Sequence, residues 1–421
     1  MPDLKSYIEM YQIIFYFIIG ILIFDYLLEQ FLDYLNSTKR SSVLPLELKG
    51  IYDEQKYQES QNYDKVNHKF SIITSSFSLL LILVFLYFSG FAFVDDFARS
   101  YSSNSIYIAL MFFGIIMFVS DILNIPFNIY DTFVIEEKFG FNKTTVKTFI
   151  LDKIKGWIIT AIIGGGLLAL IIWFYNTVGE FFWIYAWIAV SAFMLFMNMF
   201  YTSLIVPLFN KLKPLEEGEL KTEITSFCAK AGFKLENVFI IDGSKRSTKA
   251  NAYFSGLGKK KKIVLFDTLI EKLSKEEIVG VLAHEIGHYK KKHTLISLFS
   301  SILQTGLTLY ILSLFVGNPE LSKALGSDIP SFHLGLITFG FLYSPISTII
   351  GLFMNVVSRK NEYAADQFAS ENYKGVHLQN ALKKLSVNNL SNLTPHPWYV
   401  FFNYSHPTLL QRISFIDKFN K

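Results

Sequence analysis

IVGVLAHEIGHY, Ile278 to Tyr289, decides how the rest of this chain is read, because it ends in HEIGH, His284 to His288. A helix turns once every 3.6 residues, so His284 and His288 share one face and can hold a single metal ion, with Glu285 beside them. Ser274 followed three residues later by Glu277 makes a capping box ahead of the run and marks it as helical. Two imidazoles and an adjacent carboxylate are the working parts of a zinc hydrolase. Zinc accepts neutral ring nitrogens and keeps one position open for water, and the glutamate takes that water's proton. Lys290, Lys291, Lys292 and His293 close the helix where positive charge suits its dipole. His293 lies five residues past His288 on a different helical face and reads as an interfacial residue rather than a ligand.

The surroundings of this helix are too apolar for an ordinary soluble protein. Hydrophobic residues make up 51% of the 421, aromatics 17% and charged residues 18%, and the mean hydropathy is +0.34. Seven stretches are long enough to cross about 30 Å of hydrocarbon as helices. They run from Ile8 to Leu32, Ile72 to Val94, Ile106 to Tyr130, Trp157 to Tyr175, Phe181 to Phe209, Thr294 to Val316 and Leu334 to Val357. The lipid bilayer is therefore an expected partner. The first stretch lacks the short basic start and small-residue cleavage site of a signal peptide and reads as a retained span. A net charge of +4 gives no support to nucleic-acid binding. The single cysteine, Cys228, excludes an internal disulfide.

Charge sets the expected orientation. Lys39, Arg40, Lys49, Lys56, Lys65 and Lys69 lie between the first two spans, and Lys138, Lys143, Lys147, Lys153 and Lys155 between the third and fourth. The alternate connections carry only Arg99, nothing, and Lys323. By the positive-inside rule the basic loops face the cytoplasm, together with the long segment from Asn210 to His293 and the tail after the seventh span. The sequons at Asn36, Asn142, Asn389, Asn392 and Asn403 fall on that side, which argues against glycans.

Within the long segment, a helix ending near Gly232 is followed by two apolar β-branched runs, VFII (Val238 to Ile241) and KIVLF (Lys262 to Phe266), the second closed by a turn-like Asp267 and Thr268. NAYFSG, Asn251 to Gly256, alternates polar and aromatic residues, with GKKKK, Gly258 to Lys262, as the expected hairpin turn. Asn251, Ala252 and Tyr253 suit either an ordinary surface strand or an edge strand that pairs with an extended substrate backbone. The best third metal ligand is Glu362 in SRKNEYAADQFA, directly after the seventh span. Asp366 is one helical turn on and fits the carboxylate that orients a ligand histidine through its other ring nitrogen.

Together, EEKFGFN (Glu136 to Asn142), GSKRSTKANAYFSG (Gly243 to Gly256), KKIVLFDTLIE (Lys261 to Glu271), HEIGH, NEYAAD (Asn361 to Asp366) and SHPTLLQR (Ser405 to Arg412) resemble the type I CAAX prenyl protease family of integral-membrane zinc metalloproteases. The resemblance covers nearly the whole chain. It implies one Zn²⁺ per chain on His284, His288 and Glu362, Glu285 as general base, His406 and Arg412 near the scissile bond, and the strand at Asn251 holding substrate. It also implies that the helices enclose an intramembrane chamber, and that the substrate is a peptide or protein with a prenylated C-terminal tail.

The expected architecture is mainly α: seven transmembrane helices with a cytoplasmic gluzincin-type metalloprotease domain containing a small β-sheet. Residues 1–209 would form spans one to five, 210–293 the domain with the HExxH helix, 294–357 spans six and seven, and 358–421 the part carrying the third ligand and substrate-binding residues. Two rival readings are a membrane-protein quality-control metalloprotease and a non-catalytic membrane scaffold. The expected location is the endoplasmic reticulum membrane in a eukaryotic source and the inner membrane in a bacterial one.

Overall fold

The computed structural model describes residues 9–233, 238–256 and 261–419. Helices α1 (Met10–Ser37), α2 (Glu54–Tyr87), α3 (Gly90–Tyr101) and α4 (Ser105–Tyr130) come first. The second apolar run was expected to continue to Val94, but α2 stops at Tyr87 and the chain turns at Ser89, whose φ is +52°. Gly90 permits the turn, since a Cβ there would collide with the Phe85 ring. α4 passes through a π-helical turn at Asp131–Glu136, and α5 (Val146–Ile159) runs through a second one, Thr160–Gly164, into α6 (Gly165–Val178). α7 (Phe182–Leu204) and the short α8 (Val206–Phe209) complete this half.

Among the described residues, six helical stretches are long and apolar enough to cross a membrane: Met10–Ser37, Glu54–Tyr87, Ser105–Glu136, Val146–Phe209, His293–Phe315 and Phe332–Asn372. The chain is a multi-pass membrane protein. The fourth stretch holds 64 residues and contains two of the seven expected spans. As one straight helix it would measure about 96 Å, roughly three times the hydrocarbon thickness. Instead Gly179, with φ +58° and ψ −128°, ends α6, and α7 packs back against it.

A four-stranded sheet follows, formed by β1 (Leu212–Pro214), then β2 (Val238–Ile241), β3 (Ala252–Ser255) and β4 (Lys262–Phe266) in the order β1-β2-β4-β3. β2 and β4 are parallel and the other two pairs antiparallel. β3 is thus an edge strand. The expected GKKKK turn lies outside the described residues except for Lys261 and Lys262. α9 (Glu219–Lys230) stops just before Gly232, whose φ of +60° suits a left-handed helix end. Asp267 and Thr268, read as a turn, open a short helix, α10 (Asp267–Lys272).

α11 (Lys275–Lys290) carries the HEIGH motif, and its capping box forms: Glu277 N donates to Ser274 Oγ at 3.3 Å and Ser274 N to Glu277 Oε2 at 2.8 Å. Beyond it lie α12 (His293–Phe315), α13 (Pro319–Lys323), α14 (Phe332–Asn372), α15 (Gly375–Asn388), α16 (Pro397–Asn403) and α17 (Leu409–Ile416). Ile224, Ile263, Leu265, Leu269, Ile278, Leu282 and Ile286 are buried together among the sheet, α9, α10 and α11. Each such side chain contributes about 1.5–3 kcal/mol relative to leaving it in water. This core fixes one side of α11, and α14 and α15 cover the other. Gly287 sets the second distance, because a Cβ there would stand 3.1 Å from the Ala365 backbone on α14.

Candidate metal centre

The close approach of α11 and α14 at Gly287 brings three ligand-type side chains to one point. His284 and His288, a turn apart on α11, put their Nε2 atoms 3.1 Å from each other. Glu362 enters from α14, with Oε2 3.3 Å from His284 Nε2 and Oε1 3.2 Å from His288 Nε2. A tetrahedral zinc site with metal–nitrogen bonds of ~2.0–2.1 Å would space its ligand atoms about 3.3 Å apart. The separation of the two imidazole nitrogens is close to that edge length, and each nitrogen has one of the two Glu362 oxygens at a similar distance, Oε2 for His284 and Oε1 for His288. His284 is 6% exposed and Glu362 3%.

Charge and hydrogen bonding agree with the geometry. Glu362 Oε2 is sealed from solvent and accepts no hydrogen bond of good geometry, although His406 Nδ1 lies 3.0 Å away and Arg412 Nη1 3.7 Å away. A buried carboxylate oxygen left in that state is suited to a cation. Burial and Arg412 push the His284 ring towards neutrality, yet its contacts with Asp366 and Glu362 outweigh them and lift it to about 9. The field at this point therefore favours positive charge. The donor set fits a single metal ion.

A second layer holds the first. Asp366, a turn beyond Glu362 and fully buried, has Oδ1 2.8 Å from His284 Nδ1. Arg412 on α17 grips Asp366 with a fork, Nη2 to Oδ1 at 2.6 Å and Nε to Oδ2 at 2.9 Å, and is itself 9% exposed. The capping box of Thr408 and Gln411 starts α17 and carries Arg412 inward. Glu285 is partly exposed beside the histidines and close enough to Arg412 to stabilise the guanidinium charge. His406 is open to solvent, its side chain 63% exposed.

β3 reaches the centre through aromatic packing, Phe254 lying 5.7 Å between ring centroids from Tyr289, the neighbour of His288. Asn251 is exposed and accepts the Ala252 N–H on its own side-chain oxygen at 2.8 Å. Tyr253 and Ala252 are partly buried in the strand. The loop that feeds β3 is tied down from the membrane side. Lys143 N donates to Arg246 O at 3.0 Å, Thr248 N to Phe141 O at 3.0 Å, and Lys249 Nζ to Glu136 Oε2 at 2.7 Å and to Tyr63 at 2.9 Å. Arg246 adds a forked pair with Asp152 at 2.7 and 2.8 Å. Nothing in the sequence singles out Lys249, Arg246 or Asp152 as individual residues. For Lys249 and Arg246 the one signal is that EEKFGFN and GSKRSTKANAYFSG are both distinctive, and the structure joins the two; Asp152 lies in neither stretch.

His293 departs from its expected place. It is buried, and its Nδ1 stands 3.0 Å from His288 Nδ1. A helical-face position holds only while α11 continues, whereas the helix ends at Lys290 and a turn through Lys291 and Lys292 precedes His293.

A multi-pass membrane fold with a His-His-Glu cluster on two packed helices is the arrangement of a membrane protein with a metallopeptidase-type site. Comparison with known proteins makes the assignment specific. Residues 33–211 match the family model described as CAAX prenyl protease N-terminal, five membrane helices, and residues 214–420 match Peptidase family M48. The chain belongs to this family of CAAX prenyl protease 1 metallopeptidases. It is 36% identical over 405 residues to a CAAX prenyl protease 1 homolog of Oryza sativa, covering 94% of this chain and 95% of that one. Against CAAX prenyl protease 1 of Saccharomyces cerevisiae the identity is 34% over 445 residues, covering 99% and 98%. The crystal structure of S. mikatae Ste24p superimposes with a TM-score of 0.91 at 32% identity, covering 96% of this chain and 99% of that one.

Proposed function

We propose that this chain is a zinc-dependent endopeptidase that removes C-terminal residues from prenylated CAAX-type tails at the cytoplasmic face of a membrane. The observation that carries the reading is the triangle of His284, His288 and Glu362, the first and last of them buried, whose ligand atoms all lie within 4.8 Å of one another. A single zinc ion held there would polarise the scissile carbonyl and make water acidic enough to attack near neutral pH. Glu285 accepts the proton of the attacking water and passes it to the leaving amine. Asp366 keeps the His284 Nδ1 proton, so that Nε2 presents its lone pair. His406 donates a hydrogen bond to the oxyanion of the tetrahedral intermediate. Arg412 holds Asp366 with Nη2 and Nε and turns Nη1 towards the substrate side of Glu362. The free edge of β3, from Asn251 through Tyr253, pairs with the substrate backbone whatever its side chains.

The chain crosses the bilayer seven times, with the 64-residue stretch forming two passes that meet at Gly179. Support for two passes comes from the packing of α6 against α7 and from the basic loops on one side of the alternation. The helices enclose a chamber for the lipidated tail, a reading supported by a half-open apolar cavity of about 1300 Å³ lined by Leu110, Phe113, Phe118, Trp157 and the glycines 164–166. The test is cleavage of a farnesylated CAAX peptide against its unmodified twin by the purified chain. Release of the last three residues from the farnesylated peptide at ten or more times the unmodified rate is expected. Equal rates on both would overturn the substrate assignment and leave a general membrane metallopeptidase.

A further inference from the structure

His293 is the first residue of α12 and is 8% exposed. Lys292, with φ +60° and ψ +22°, is left-handed and folds α12 back against the end of α11. The turn sets the His293 and His288 rings edge to face, centroids 5.2 Å apart, with their Nδ1 atoms at 3.0 Å. Two ring nitrogens at that distance need one proton between them. His288 turns its Nε2 towards Glu362 Oε1 at 3.2 Å and His284 Nε2 at 3.1 Å. A metal ligand must offer a lone pair there, so the His288 proton sits on Nδ1. Its acceptor is His293 Nδ1, and His293 then carries its own proton on Nε2.

From this geometry we infer that His293 is a positioning residue of the metal centre, accepting the Nδ1–H of His288 and thereby fixing that ring's tautomer and orientation. The inference rests on reading His284, His288 and Glu362 as a zinc site. His284 has the equivalent support from Asp366 at 2.8 Å. The centre is thus braced asymmetrically, by a carboxylate from α14 on one histidine and by a neutral imidazole from α12 on the other.

Chelator competition on the full-length, detergent-purified chain tests it, with wild type, His293→Phe, His293→Gln and His284→Ala compared for zinc affinity. Phenylalanine keeps a packed ring and removes the acceptor, whereas glutamine restores an acceptor oxygen. His293→Phe should weaken zinc binding roughly 10–100-fold, the usual cost of losing such a partner, and His293→Gln should recover most of that loss. Melting of the metal-free variants at the wild-type temperature would show that the loss is not unfolding. Zinc affinity within twofold of wild type for His293→Phe, or a His293→Gln variant as weak as His293→Phe, overturns the inference. Loss in His284→Ala alongside normal binding in His293→Phe sinks only this inference. Normal zinc affinity in His284→Ala sinks the metal site with it.

Discussion

Glu362 concentrates the electrostatics of the site in one side chain. It is 3% exposed, faces both ligand histidines and has His406 and Arg412 at its outer oxygen. Of these neighbours His406 is the exposed one, so it can exchange its contact with Glu362 for one with a reacting carbonyl. His406→Phe should slow turnover roughly 10²–10³-fold, the cost of one oxyanion donor, while zinc content stays at the wild-type value. Normal turnover would remove the role. At this scale, residues joined by one helical turn were legible from spacing: His284 with His288, and Glu362 with Asp366. His293 was not, because its position depends on a left-handed residue that no periodicity reports.

The α11–α14 contact is the element on which the centre depends, since each helix carries part of the ligand set. Gly287 lets them touch, and the atoms a side chain would meet are backbone atoms of Ala365 and the Cβ of Phe368, none of which can rotate away. Gly287→Val should therefore push α14 outward and lower zinc affinity by at least tenfold with the overall helix content retained. Circular dichroism and chelator competition together check this. The capping box, the motif helix, the strand β3 and the end of α9 at Gly232 could all be read from the chain, while the edge position of β3 could not. Signals within a few residues of each other set each of these features. The break at Ser89, the strand β1 and the helix opening at Asp267 could not, because packing decides them. Gly90 against Phe85 is visible only once the chain has folded, and β1 has too few residues to show an alternation.

For the whole molecule, hydropathy separates the fourth and fifth apolar stretches between Tyr175 and Phe181, whereas the helical stretch Val146–Phe209 runs through both. Gly179 divides it. If the chain crosses seven times, the turn at Glu180 and the loop at Lys138 lie on opposite sides of the membrane. Single cysteines at the two positions should react with an impermeant maleimide from opposite faces of sealed vesicles. Cys228 gives little background, because it is 1% exposed and burial pushes its thiol up to about 11. Labelling of both positions from one side would contradict the seven-span arrangement and the placement of the centre on the basic face.

The central claim is that a His-His-Glu metal centre uses Glu285 to activate water for peptide hydrolysis. Its most direct test is the turnover of Glu285→Gln on a farnesylated CAAX peptide, with zinc measured in the same preparation. One zinc per chain and a fall in turnover of at least about 10²-fold are predicted. A zinc-loaded Glu285→Gln variant that cleaves within a few-fold of wild type would contradict the account.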